Sequence, residues 1–212
     1  MRPYLKDPAA IYRESFETVR REARLERFPG DLQPLVVRLI HACGMVEIAD
    51  RIAFSPDVAE AGTEALARGA PILCDCEMVA AGIIRARLPA ANEVIVTLND
   101  ARVPDLAAGI GTTRSAAAVE LWAERIEGAV VAVGNAPTAL FHLLEKLDAG
   151  WPRPAAILGF PVGFVGAAES KAELAADPRG CDFITLKGRR GGSAMASAAV
   201  NALAAGLPGE TP

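Results

Sequence analysis

Five short apolar runs recur through the chain, and between or after them lie segments with helical spacing. The runs are PILCD (Pro71–Asp75), EVIVTL (Glu93–Leu98), AVVAVG (Ala129–Gly134), AAILGF (Ala155–Phe160) and DFITLK (Asp182–Lys187). The helical segments include TRSAAAVELWAERI, APTALFHLLEKL and GGSAMASAAVNALA. A strand that is apolar on both faces must be covered on both faces, and its alternation with helices points to a parallel sheet. The expected fold is therefore α/β: a three-layer α/β/α arrangement around a five-stranded parallel sheet. Aromatic residues make up only 5% of a chain that is 51% hydrophobic, so Ala, Val, Leu and Ile must fill the core.

The first sixty residues read differently. PAAIYRESFETVRREARLERF places Ile11, Ser15, Val19 and Glu22 on one helical face. A second helix is expected from Leu32 to Cys43, capped by Asp31, with Pro34 in its first turn and Gly44 at its end. The 212 residues show no repeat and no linker, so one domain is expected, with residues 1–60 as a mainly helical extension. Residues 205–212 are expected to be a flexible tail.

Several classes are disfavoured at this point. A formal net charge of -4 argues against general nucleic-acid binding and against attraction to anionic membranes. No run approaches the roughly eighteen apolar residues of a spanning helix, and the first residues lack the apolar core of a signal peptide. The four cysteines have neither a paired framework nor zinc spacing. A cytoplasmic, reduced protein is expected.

In open parallel sheets, ligands bind beyond the carboxyl ends of the strands. Cations and small residues gather there: Asn135 after the third run, and Lys187, Arg189, Arg190 and three glycines in LKGRRGGS. Thr113, Arg114 and Ser115 open a helix after the second run. Glycines let backbone N–H groups approach a ligand, and the cations favour carboxylate or phosphate. LKGRRGGS taken alone is equally consistent with a mobile surface turn bearing solvated arginines. There is no G-x-x-x-x-G-K-[ST] loop, no G-x-S-x-G, no H-E-x-x-H and no metal-ligand cluster. The residues thus describe an anion-binding α/β protein without a metal or nucleotide signature.

Two histidines occur. His142 lies among Leu140, Phe141, Leu143 and Leu144, as a structural histidine would. His41, in LVVRLIHACG, lies off the apolar stripe of Leu35, Val36, Leu39, Ile40 and Cys43, on the side of Arg38. There Arg38 would lower the pKa of His41, and a bound carboxylate would raise it. Surface, structural and chemical roles for His41 all remain open on periodicity.

Taken together, RLIHACG, CDCEMVAAGI, GTTRSAAAVEL, VGNAPTALFHLLE, GFPVGFVGAAESK and FITLKGRRGGSAMASAAVNAL resemble the precorrin-8X methylmutase family, in family order over nearly the whole chain. The resemblance implies an isomerase of cobalamin biosynthesis. It would move a methyl group from C-11 to C-12 of a corrinoid (tetrapyrrole) ring, giving hydrogenobyrinic acid, or cobyrinic acid from the cobalt form. It implies no cofactor and no protein-bound metal. His41 becomes the general acid/base, with Ser15, Arg38 and Arg114 as substrate contacts. Thr113, Ser115 and Asn135 join them as substrate-binding candidates, and Lys187, Arg189 and Arg190 as candidates for the substrate's carboxylates. The resemblance also implies a homodimer with the ring near the subunit interface. One departure is Cys43, beside the histidine, where a hydroxyl-bearing or other small residue is expected.

Overall fold

The structure, a computed structural model, describes residues 2 and 4–205, so of the expected tail at 205–212 only Ala205, the last residue of a helix, is described, and the rest lies outside the described residues. The chain begins with helix α1 (Pro8–Glu22), whose first turn is capped by Asp7: its carboxylate accepts from the N–H groups of Ala9 and Ala10 at 3.1 and 3.2 Å. Helix α2 (Gln33–Cys43) follows, with Pro34 in its first turn. Its amino-terminal cap is Leu32 rather than the expected Asp31, and no side chain bonds there. A preceding turn makes that cap unnecessary, because the Pro29 carbonyl accepts from both Leu32 and Gln33. Gly44 ends the helix as expected, in the left-handed region at φ 69°.

Then come β1 (Ile52–Phe54), α3 (Val58–Ala67), β2 (Ile72–Cys74), α4 (Glu77–Gly82), β3 (Val94–Val96), α5 (Val103–Ile110) and α6 (Arg114–Val119). The chain continues through β4 (Val130–Val133), α7 (Pro137–Asp148), β5 (Ala156–Gly159), α8 (Ala167–Ala176), β6 (Asp182–Leu186) and α9 (Ser193–Ala205). The sheet order is β1-β6-β5-β4-β2-β3. Strands β2 to β6 are parallel and coincide with the five apolar runs.

The sixth strand corrects the expected count of five. β1 comes from the stretch read as a helical extension, and it pairs antiparallel with β6, Ile52 opposite Leu186 and Phe54 opposite Ile184. Three residues are too few to display a period of two, so tertiary pairing decides their conformation. Ser55 locks the end of the pair. Its N–H donates to Phe183 O (2.9 Å) and its hydroxyl to Asp182 (2.7 Å).

Alternate residues of the strands enter two separate cores, one on each face of the sheet. Ile72, Val130, Ala156, Leu158 and Ile184 face α1–α4 and α9. Leu73, Val131, Ile157 and Phe183 face α7, α8 and Trp122. This is the expected three-layer arrangement. α9 runs against α2, α3 and α4, and nine of its residues, Met195–Leu203, are buried. Four of them are alanines, which let neighbouring backbones approach closely. At Gly134 it is the backbone of α9 that comes close: a Cβ there would sit 2.7 Å from Ser193 Cα.

Candidate active site

α1 and α2 cross so that two parts of the extension meet at His41. Ser15 Oγ on α1 lies 2.8 Å from His41 Nδ1. The imidazole is half-buried beside two rings of α1, Tyr12 (centroids 5.6 Å apart) and Phe16 (5.2 Å, edge-on). A hydroxyl beside the histidine is thus supplied by Ser15 rather than by position 43. The Cys43 thiol turns toward the Ile40 carbonyl at 3.5 Å. Burial, and then the charge of Arg38, hold His41 below its ordinary pKa of 6.5.

Arg38 lies one helical turn before His41 and is itself buried, only 8% exposed. That differs from an arginine flanking an apolar stripe in solvent, because α2 is covered by α1 on one side and α9 on the other. Its guanidinium enters no hydrogen bond or ion pair among the described residues, and its buried Nη1 is unpartnered. Burial, and then repulsion from Arg87, pull its pKa below the ordinary value.

His41 forms part of the wall of two cavities. One, of about 530 Å³, lies against α1 and is lined by Glu14, Ser15, Thr18 and Glu22. The other, of about 450 Å³, lies between α2, α4 and the start of α9, and Arg38, Met78, Ser193 and Ser197 line it. An imidazole with one nitrogen tied to a hydroxyl and cavities on either side can exchange a proton with a bound molecule.

The remaining candidates stand elsewhere. Thr113 caps α6: its hydroxyl accepts from Ala116 N–H (3.2 Å) and donates to Thr138 at the start of α7 (2.8 Å). Arg114 is exposed and bonds the Leu98 carbonyl and Asn99 Oδ1 at 3.2 and 3.3 Å. Ser115 follows it, half-buried. Asn135 sits after β4, its N–H donating to Asp75 at 2.9 Å. Lys187 and Arg189 are exposed after β6, and Arg189 lies 5.4 Å over the Phe164 ring. Ser15, Arg38 and His41 are therefore brought together. Neither cavity at His41 is lined by Thr113, Arg114, Ser115, Asn135, Lys187 or Arg189.

Other residues that shape this region stayed hidden in the sequence. Asp75 is buried after β2, and its carboxylate gathers the N–H groups of Gly134, Asn135 and Ala136 at 2.8–2.9 Å. Burial raises its pKa, with those three donors pulling the other way. Lys171 is fully buried on α8, donates to the Arg190 carbonyl, and so ties α8 to the turn before α9; burial lowers its pKa to about 8. Asn201 clamps the end of α4, bonding Gly82 O and Ile84 N–H at 2.9 and 2.8 Å. Ser193, Ser197 and Asn201 recur every four residues in an alanine-rich helix. That polar stripe was the available signal.

His142, read as structural, bridges Glu120 (2.7 Å) and Glu145 (3.2 Å) away from both cavities. Among the described residues no group of three His, Cys, Asp or Glu side chains is placed to hold a metal ion, and no helix is long and apolar enough to cross a membrane.

Comparison with known proteins places the whole chain. The family model described as precorrin-8X methylmutase matches residues 10–205. Precorrin-8X methylmutase of Pseudomonas aeruginosa is 65% identical over 201 residues, covering 95% of this chain and 97% of the relative. Cobalt-precorrin-8 methylmutase of Priestia megaterium is 36% identical over 203 residues, covering 95% and 89%. The crystal structure of the precorrin-8X methylmutase from Thermus thermophilus superposes with a TM-score of 0.82 at 41% identity, covering 92% of this chain and 93% of that one. By its family match, its relatives and its fold, the chain belongs to the precorrin-8X methylmutase family.

Proposed function

We propose that this isomerase moves a methyl group from C-11 to C-12 of precorrin-8X, or of its cobalt form, with His41 as the general acid and base. The observation that carries the reading is His41 itself: Nδ1 is engaged by Ser15 at 2.8 Å while the ring borders two cavities. As imidazolium, His41 donates Nδ1–H to Ser15 and delivers the Nε2 proton to a ring nitrogen of the substrate. That proton draws electron density out of the conjugated system and eases migration. The neutral imidazole keeps its proton on Nδ1, so Nε2 is ready to take the proton back afterwards. No atom is gained or lost overall, and the reaction as written needs no redox partner. A tight fit around the flat ring supplies orientation, and Tyr12 and Phe16 keep the imidazole in place.

The substrate's acetate and propionate groups need cations, and Arg38 is the one beside His41. Arg114, Lys187 and Arg189 stand apart from it within one chain. In this reading the protein acts as a cytoplasmic homodimer, and the ring lies near the interface, where Arg114 of a second copy reaches it. Thr113, Ser115 and Asn135 shape the same strand-end corner.

The test is conversion of purified precorrin-8X, followed by the change in its absorption spectrum, by wild type and His41→Ala. Conversion by wild type alone, with corrinoid still bound by the variant, is expected. Equal conversion by both removes His41 from the chemistry, and no conversion by wild type removes the function.

A further inference from the structure

Arg38, Asp75 and Lys171 are the buried charged side chains among the described residues, and none of the three enters an ion pair there. A buried charge is costly unless other groups compensate it. Asp75 stands just after β2 and Lys171 in the middle of α8, yet both direct their charge at backbone beside one residue, Ser193. Asp75 Oδ1 accepts from Gly134 N–H at 2.9 Å, and Oδ2 accepts from Asn135 and Ala136 at 2.9 and 2.8 Å. Gly134 in turn abuts the first residue of α9, where an added Cβ would lie 2.7 Å from Ser193 Cα. From the other side, Lys171 donates to the carbonyl of Arg190, three residues before Ser193. The two glycines between are pinned as well. Gly192 N–H donates to Phe160 O at 2.8 Å, and a Cβ at Gly191 would strike the Phe160 and Pro161 carbonyls. Ser193 and Ala194 then form part of the wall of the cavity of about 450 Å³ that His41 borders.

We propose that Asp75 and Lys171 are positioning residues for the isomerisation: together they set the first turn of α9 in the cavity it shares with His41, and so fix how the ring lies against the imidazole. The inference rests on the corrinoid reading above and deepens it. Neither side chain lines either cavity at His41, so both act through α9 and not by touching the substrate. Stability alone would be served as well by apolar side chains of similar volume. Charged groups hold backbone partners more tightly than neutral ones, and misplacing a site by about 1 Å can cost on the order of 100-fold in rate. The carboxylate is also needed for its shape, since its two oxygens take three N–H groups. A carboxamide has one oxygen. Kept on Asn135 and Ala136, it would turn its NH2 toward the Gly134 N–H, donor against donor, and push the glycine on which Ser193 rests.

The experiment compares full-length wild type with Asp75→Asn, with Lys171→Met, which is neutral and similar in length, and with the double variant. KM and kcat for precorrin-8X and the Kd of hydrogenobyrinic acid are measured beside melting curves. Both single variants are expected to remain folded at the assay temperature, with KM and Kd raised roughly 10- to 100-fold. The double variant should fall short of the product of the two single effects, because both side chains hold one turn. A purely structural role would reduce the amount of folded enzyme and with it the apparent kcat, leaving KM and Kd unchanged. That result overturns the proposal while the functional reading stands. So does unfolding of either single variant at the assay temperature, or a double variant whose effects multiply. Failure of wild type to convert precorrin-8X and to bind the acid overturns the corrinoid reading, and the positioning role with it.

Discussion

At the scale of single residues, an arginine and a histidine share one pocket wall. Burial, then Arg38, lower the pKa of His41, so the free protein carries a neutral imidazole at pH 7. With only two histidines in the chain, the His41 ring resonance is readily assigned by NMR. Its titration midpoint should fall below 6.5 in wild type and move up in Arg38→Met; an unchanged midpoint would show that Arg38 does not act on the ring. The upward move is partial, because burial is the larger cause. The same shift enters stability with a definite sign. Since the folded pKa is the lower one, the contribution of His41 is complete above about 6.5 and is lost as pH falls through the folded value. The adjacency of the two residues was legible in the sequence, since His41 and Arg38 stand three apart on one helix. Their environment was not. Helical periodicity reports one helix at a time, whereas Arg38 is buried by α9, more than 150 residues further along.

At the scale of elements, the parallel strands were legible because each lies within a largely apolar run of five or six residues. β1 was not, since Ile52–Phe54 are strand only through β6. The cap of α2 was misplaced for a similar reason: backbone carbonyls, which no sequence pattern displays, did the work expected of Asp31. The element that sets the pocket is α9, and its seat is the glycine after β4. Gly134→Ala would thrust a Cβ to 2.7 Å from Ser193 Cα and 2.7 Å from Val79 Cγ2. Backbone cannot move aside as a flexible side chain can, so a loss of about 1–3 kcal/mol is expected by urea denaturation. Because Ser193 must retreat, corrinoid affinity should fall as well. Unaltered stability and affinity would show that α9 has more room than its packing implies.

At the scale of the whole molecule, the candidate residues fall into separate groups, and the proposed dimer reunites them. This can be tested by mixing. If His41 of one subunit serves a ring also held by Arg114 of the other, a heterodimer of His41→Ala and Arg114→Ala subunits contains one intact site. Unfolding and refolding the two inactive variants together should then restore about a quarter of wild-type activity, since half the dimers are mixed and each has one working site of two. If each subunit used its own pair, no mixed dimer would have an intact site, and activity would stay at the sum of the parents. Oligomeric state is poorly written in a single sequence, because an interface draws on scattered surface positions with no period.

The pairing of β1 with β6 and of α2 with α9 has a consequence for how the protein comes into being. Residue 54 finds its strand partner at residue 184, and Arg38 acquires its pocket only from residues 193 onward. A chain growing on the ribosome exposes its amino-terminal part first. The histidine helix therefore emerges long before the wall that completes its cavity. Until the final helix docks, the cavity that Arg38 lines lacks one of its walls, and that wall is made more than 150 residues after His41.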